Sequence, residues 1–178
     1  SGGIVSGTGT GALTKNGGGT LNLTAAGTYT GQTFVNGGVL VLNHANALPG
    51  GVATAGGTSN LRFGGNGIAG LGTGDFTRAL GTGVDQVQWT GSGGFAAFNA
   101  DRVVNLGGAG ATVTWATGSF VPNGSTLYLG ANSATHTVDF QNPIDLGSAN
   151  RTIDINNSAA AALDAIIDHC PESGIEEI

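Results

Sequence analysis

Glycine recurs at short intervals along this chain, and the positions of the glycines limit the folds that the chain can adopt. Glycine supplies 35 of the 178 residues and proline only 4, which fits neither the collagen pattern nor a proline-rich linker. The glycines separate short runs in which apolar and polar residues alternate. Because glycine tolerates positive φ, paired glycines let the backbone turn tightly between such runs. The pattern predicts an all-β fold.

Short alternating runs predict strands, because alternation sends successive side chains to opposite faces. The runs are residues 20–23, 39–42, 84–89, 112–115, 126–129 and 137–140, and glycine turns are predicted at 17–19, 37–38 and 123–124. The first two runs begin about twenty residues apart, near the low end of the periods that indicate stacked coils. That spacing suits one rung of a solenoid. Threonine, alanine, glycine and valine are frequent in the runs, so we expect small residues to fill a narrow interior.

The composition changes near Ser158, which suggests a boundary. All three glutamates, Cys170 and Pro171 lie beyond it. Residues 159–167 (AAAALDAII) are the only plausible helix former, by alanine propensity, although an isolated helix of that length is marginal. We interpret residues 1–157 as a β-solenoid repeat unit and residues 158–178 as a tail, cap or linker of different composition.

Charge and cysteine content exclude several classes of partner. The net charge is -6, and the five basic residues are scattered, whereas nucleic acids and anionic membranes require clustered lysine or arginine. Cys170 is the single cysteine, so an internal disulfide framework is impossible. No apolar run reaches the length of a transmembrane helix. The sequence also lacks a basic and then apolar leader, so we expect a mature or excised piece of a longer protein.

Residues 11–48 resemble the autotransporter-associated β-strand repeat, also called the passenger-associated transport repeat. The matching parts come in the family's order: residues 13–15, the glycine turn 17–19, the run 20–23, Tyr29-Thr30-Gly31, Thr33, Val35 and the run 38–42. Residues 91–156 are similar to the region that alternates with this repeat in very large bacterial surface proteins. The resemblance implies a right-handed parallel β-helix (β-solenoid) at the bacterial cell surface or outside the cell. It implies a scaffold, adhesive stalk or filament whose units stack end to end, and no catalytic residue.

Motifs for cofactors and metals are weak in this sequence. Residues 65–70 spell GxGxxG, with Asp85 further on, but the segment that follows is too rich in glycine for the helix that would hold a pyrophosphate. Calcium-binding β-rolls need an aspartate in GGxGxD, and this chain has alanine or threonine there. One isolated calcium site using Asp75 or Asp85 stays open. His44 and His136 lie far apart, so we predict no cofactor and no metal centre.

Catalysis by a β-helix hydrolase needs two carboxylates on one face. The acidic residues of the predicted solenoid unit, residues 1–157, are isolated from one another in sequence: Asp75, Asp85, Asp101, Asp139, Asp145 and Asp154. Stacking could bring two together, for instance Asp139 and Asp145, but we expect solvated or turn-capping aspartates and no enzyme. The alternative is a carbohydrate-binding or carbohydrate-active β-helix, in which Trp89, Trp115 or Tyr128 would stack on sugar rings.

Overall fold

The computed structural model describes residues 2–53 and 55–167. Within these ranges the chain forms thirteen strands and no helix, which confirms the all-β prediction there. The strands are β1 Leu13–Lys15, β2 Thr20–Leu23, β3 Thr33–Leu42, β4 Leu61–Leu71, β5 Val87–Trp89, β6 Gly93–Ala97, β7 Arg102–Val104, β8 Val113–Thr114, β9 Thr126–Leu129, β10 Val138–Phe140, β11 Ile144–Asp145, β12 Thr152–Ile155 and β13 Ala165–Ile167. The described ranges accordingly hold no helical segment that could cross a membrane.

The strands stack in parallel, one coil of the chain on the next. Sheet A has the order β1-β3-β4-β6-β9-β12, with β2 beside β3 and β5 beside β4; sheet B is β13-β10-β7, and sheet C is β11-β8. Thr20 faces Val39 across one coil, which confirms the predicted spacing of the first rung. Later rungs carry longer loops, since Gly93 faces Leu127. The fold is therefore a parallel β-solenoid.

Two glycine-rich strands, β4 and β6, are absent from the sequence prediction because glycine normally weakens a strand. Here the close approach of stacked backbones requires it. A Cβ at Gly65 would overlap the carbonyl oxygen of Asn36, and one at Gly67 would overlap that of Val35. The turn predicted at residues 37–38 is wrong for a related reason: these glycines lie inside β3, at a register shift where Gly38 has a φ of 63°. The turn at residues 123–124 is confirmed.

The interior is filled by large side chains, which corrects the expectation of small ones. Leucine, valine and aromatic residues from successive rungs form one core cluster. The aromatic rings run through it as a ladder, with centroid separations of 4.7 Å for Phe76–Phe95, 5.3 Å for Phe95–Phe63, 4.8 Å for Phe63–Trp89, 5.3 Å for Trp89–Phe120 and 6.2 Å for Phe120–Phe140. These separations suit favourable aromatic pairing. The few aromatics of this sequence are therefore concentrated where they contact one another.

Arg78 is fully buried and ties the loop between β4 and β5, in which it lies, to the loop between β3 and β4. Its guanidinium donates hydrogen bonds to the carbonyls of Pro49 (3.0 Å), Ser59 (2.6 Å) and Gly51 (2.9 Å from Nε). Burial lowers the pKa of Arg78 to about 10, and the nearby Asp85 opposes that shift. The side chain is therefore still cationic at neutral pH. Backbone carbonyls take the place of water around this charge, as a buried cation requires.

Buried amide side chains serve the loops in the same way. Asn60 donates to the carbonyls of Gly81, Gly83 and Gln86. Asn142 accepts from the Leu106 amide at 2.6 Å and donates back to the Leu106 carbonyl at 3.1 Å. Loops that leave the regular ladder thereby recover partners for backbone groups that would otherwise be buried unpaired.

Residues 159–167 form no helix, so that interpretation of the alanine-rich stretch is wrong. Residues 159–164 are turn and irregular chain, and β13 adds to sheet B by pairing Val138–Phe140 with Ala165–Ile167. Tertiary pairing overrides the local propensity of so short a segment. The boundary after residue 157 stays a prediction, and Cys170 and His169 lie outside the described residues.

We expect Gly94→Ala to destabilise the solenoid. Gly94 faces Tyr128 in the sheet, and a Cβ there would overlap the carbonyl oxygen of Tyr128. The backbones would have to separate, so urea unfolding should show a loss of about 1–3 kcal/mol, as for other overpacked sites. Gly18→Ala is the matched control, because a Cβ added at Gly18 would have nothing within 4 Å and the φ of this residue is not positive. Equal stability of the two variants would contradict the close approach at Gly94.

We expect Arg78→Met to destabilise the protein more strongly. Methionine fills much of the same space but removes the donor to the carbonyls of Gly51 and Ser59, whereas the Pro49 carbonyl still accepts from the amide of Thr58. Unsatisfied buried groups of this kind should lower the free energy of unfolding by about 2–5 kcal/mol. Arg62→Met is the control: Arg62 is partly exposed, donates one hydrogen bond to Thr90 Oγ1 and lies 5.2 Å from the centroid of the Phe34 ring, so its loss should cost about 1 kcal/mol or less. A similar cost for both variants would show that Arg78 does not hold the loops.

Candidate functional site

The three aromatic residues predicted to stack on sugars lie in different environments. Trp89 and Trp115 are 3% and 2% exposed, and their indole nitrogens donate to the carbonyls of Gly93 and Pro122. The prediction that these two stack on sugars is therefore corrected: their rings face other core aromatics and offer no free face. Tyr128 is half-buried and lies on the outer face of sheet A.

Tyr128 lines a groove that crosses sheet A, and we call it the Tyr128 groove. The register of the sheet places one outward position from each strand in a row: Thr20, Val39, Ile68, Gly94, Tyr128 and Asp154. The groove has a volume of about 380 Å³, within the roughly 300–1,000 Å³ of small-molecule sites. Val39 and Ile68 provide an apolar floor. Gly94 lies between Ile68 and Tyr128 in this row, where the backbones of β6 and β9 approach so closely that a Cβ would overlap the carbonyl oxygen of Tyr128.

The apolar floor belongs to a second hydrophobic cluster, separate from the core. Its members come from the outer face of sheet A and from the loop after β9: Val39, Val41, Ile68, Ala96, Ala131 and Ala134, with Phe98 and Tyr128 packed against them. This cluster explains why apolar side chains occur on both faces of β3. The outer face of sheet A is therefore a partly covered surface and not a simple solvated one.

Residues 130–136 form one wall of the Tyr128 groove and are held in place at several points. Gly130, with a φ of 82°, turns the chain away from β9. The loop closes on itself through Ala134 N donating to Ala131 O at 2.8 Å, and His136 N donates to Ala97 O at 3.3 Å. Ser158 Oγ donates to the carbonyl of Ala134. These contacts present Asn132 and Ser133 at the groove in a fixed arrangement.

The polar side chains of the Tyr128 groove have spare hydrogen-bonding capacity. Asn66, Asn132 and Asn156 line it together with Thr20 and Ser133, and among the described residues none of these five side chains is hydrogen-bonded to another. Exposed asparagines elsewhere do pair, as in Asn36 with Asn16 at 3.1 Å and Asn99 with Asn43 at 2.8 Å. Each free amide offers two N–H donors and a carbonyl acceptor to a ligand.

A second cavity, of about 430 Å³, lies on the outer face of sheet B and brings three aspartates together. Asp75 accepts from the amide of Val103 at 3.0 Å, and Asp101 accepts from that of Thr137 at 2.9 Å. Both carboxylates therefore bond the backbone of the following rung, a contact between rungs and not the capping of a local turn. Asp139 accepts from Gln141 through one oxygen, and its other oxygen is buried without a partner among the described residues.

The remaining acids lie elsewhere, so the suggested meeting of Asp139 and Asp145 does not occur in this cavity. Asp145 belongs to sheet C, where it accepts from the amide of Gly147 at 2.8 Å. Asp154 lies on β12 in sheet A. The grouping of Asp75, Asp101 and Asp139 has no signal in the sequence, because loops of different length separate the three rungs. They are aligned by the pairing of β7 with β10 and by the parallel bridge between Phe76 and Val104.

The residues of the weak cofactor and metal motifs have structural roles in the strands and loops. The GxGxxG residues 65–70 lie within β4, so no helix N-terminus faces them. His44 accepts a hydrogen bond from the amide of Asn46, and His136 bonds the neighbouring Thr135. Within residues 2–53 and 55–167, no group of three histidine, cysteine or acidic side chains is placed to hold a metal ion.

The two ends of the solenoid expose strand edges. At one end, β12, β13 and β11 each pair with one neighbour only among the described strands. Large aliphatic side chains in or beside these strands are exposed: Leu146, Ile155, Leu163, Ile166 and Ile167. At the opposite end, β1 and β2 pair only with β3 among the described strands, and Leu21 is 36% exposed.

Comparison with known proteins gives one family match, at the start of the solenoid. The family model described as passenger-associated-transport-repeat matches residues 13–42, which begin with β1 and end with β3. No curated protein and no solved structure matches the chain. This agrees with the resemblance noted from the residues themselves. We conclude that residues 13–42 match the passenger-associated-transport-repeat, and that the matched segment spans the first rung of the parallel β-solenoid together with the sheet A strand of the second rung.

Proposed function

We propose that this chain is a non-catalytic structural module of a bacterial cell-surface or extracellular protein. It stacks end to end with copies of itself or with neighbouring repeats, and so extends the solenoid into an adhesive stalk or filament. The observation that carries this proposal is the open final rung, with unpaired edges on β11, β12 and β13 among the described strands and exposed aliphatic side chains beside them. The passenger-associated-transport-repeat at residues 13–42 supports an exported, repetitive parent protein.

Backbone geometry favours end-to-end association over random contact. An unpaired edge presents N–H and C=O groups that pair readily with another strand. Because all pairs between named strands are parallel, the β12 edge of one unit can accept the β1 and β2 edge of the next with the same strand direction. Pairing of this kind would also cover Ile155 and Ile167, which follow the core residues Leu129 and Phe140 in register and are 46% and 47% exposed.

We expect the isolated chain to associate with increasing concentration, and light scattering with electron microscopy should show linear oligomers. Ile155→Lys and Ile167→Lys should suppress association, because each puts a charge at an inward position of the open rung. Val84→Lys is the matched control: Val84 is 57% exposed but lies in the turn before β5. A wild-type chain that stays monomeric at high concentration, or equal suppression by Val84→Lys, would overturn the end-to-end proposal.

We also expect no release of reducing sugar when the chain is incubated with neutral and acidic polysaccharides. Asp75 and Asp101 already accept backbone amides of the next rung, which leaves them poorly placed as a freely acting acid and base. Asp101→Asn and Asp139→Asn test the assignment. Sugar release that either variant abolishes would show a hydrolase and contradict the non-catalytic proposal.

A further inference from the structure

We propose that the Tyr128 groove is a binding site for an uncharged oligosaccharide segment. The proposed site lies on the side of the solenoid and not at its ends, so sugar binding there is independent of end-to-end association. Three features of the groove carry the proposal: an aromatic ring, an apolar floor, and a set of amides and hydroxyls without partners among the described residues.

The aromatic ring and the floor suit the apolar face of a sugar ring. A pyranose has C–H groups on its faces and hydroxyls around its edge, so it needs an apolar surface below and hydrogen-bonding groups around it. Tyr128 is half-buried against the second cluster, and a tyrosine combines an apolar ring with a polar tip. Tyr128 belongs to the same outward row as Ile68 and Val39, and all three side chains line the groove.

The polar groups suit the hydroxyls at the edge of the sugar. Asn66 and Asn156 reach the groove from the strand side, and Asn132 reaches it from the wall formed by residues 130–136. Amides can donate and accept at once, as adjacent sugar hydroxyls require. Because these side chains form no hydrogen bond within the described protein, binding would replace only water contacts. The anchored loop also lowers the entropy cost of ordering the site.

The electrostatics select an uncharged sugar. No described residue that lines the Tyr128 groove carries a charge, and the row ends at the carboxylate of Asp154. The chain as a whole has a net charge of -6. An acidic polysaccharide would meet repulsion without a basic partner, whereas a neutral one would not.

Binding should be measured on the full chain with neutral hexasaccharides of glucose, xylose and mannose units, using calorimetry after a glycan array. Oligogalacturonate serves as the acidic probe. We expect at least one neutral probe to bind and oligogalacturonate not to bind. Tyr128→Ala should weaken the affinity by about tenfold or more, and Asn66→Ala by about three- to tenfold, in line with the loss of an aromatic contact or a hydrogen bond.

Further variants keep this test decisive if Tyr128→Ala disturbs the fold. Tyr128→Phe keeps the ring and should retain most of the affinity, and Asn66→Ala removes an exposed amide that bonds no described residue. Phe34→Ala and Asn22→Ala are matched controls, because both side chains lie on sheet A strands outside the groove; they should leave binding unchanged. The inference fails if no neutral probe binds, if oligogalacturonate binds instead, or if the groove variants bind as the wild type does. Light scattering on the same samples reports association separately.

Discussion

Parallel pairing of one coil on the next is the constraint on which the rest of this structure depends. Once Thr33 faces Leu61 and Leu61 faces Val87, every side chain on those strands has its counterpart on the adjacent rungs. Inward positions then stack into a continuous core, and outward positions form rows. The same pairing brings backbones so close that Gly65, Gly67 and Gly94 admit no side chain. Glycine is therefore a packing residue here as much as a turn residue.

Buried polar side chains let the regular ladder coexist with long loops. Arg78, Asn60 and Asn142 each bond backbone groups of segments that leave the sheets. Their hydrogen-bonding capacity is used inside the protein. The amides of Asn66 and Asn132 differ, since they line an open groove and bond no other described side chain or backbone group. This contrast separates groups that hold the fold from groups that are free to meet a ligand.

The two proposals use different parts of the molecule. End-to-end association involves the edges of the first and last rungs, whereas the Tyr128 groove runs across the side of sheet A. The passenger-associated-transport-repeat supplies Thr20 and Val39 to that groove, but Tyr128 comes from β9, far beyond the matched residues. A match to the repeat alone therefore says nothing about the groove. A stalk of such units would carry its side surfaces at regular intervals.

The sequence by itself determined the all-β class, the bounds of β2 and β9, and the spacing of the first rung, because alternation and glycine turns are local signals. It also excluded an internal disulfide framework, since Cys170 has no second cysteine to pair with. Only the tertiary structure decided that Trp89 lies in the core while Tyr128 lies on the surface. It also decided that β4 and β6 are strands and that Asp75, Asp101 and Asp139 share a cavity. The physical reason is register: the loops between rungs differ in length, so the pairing that aligns distant residues is set by long-range backbone contacts and not by any local pattern.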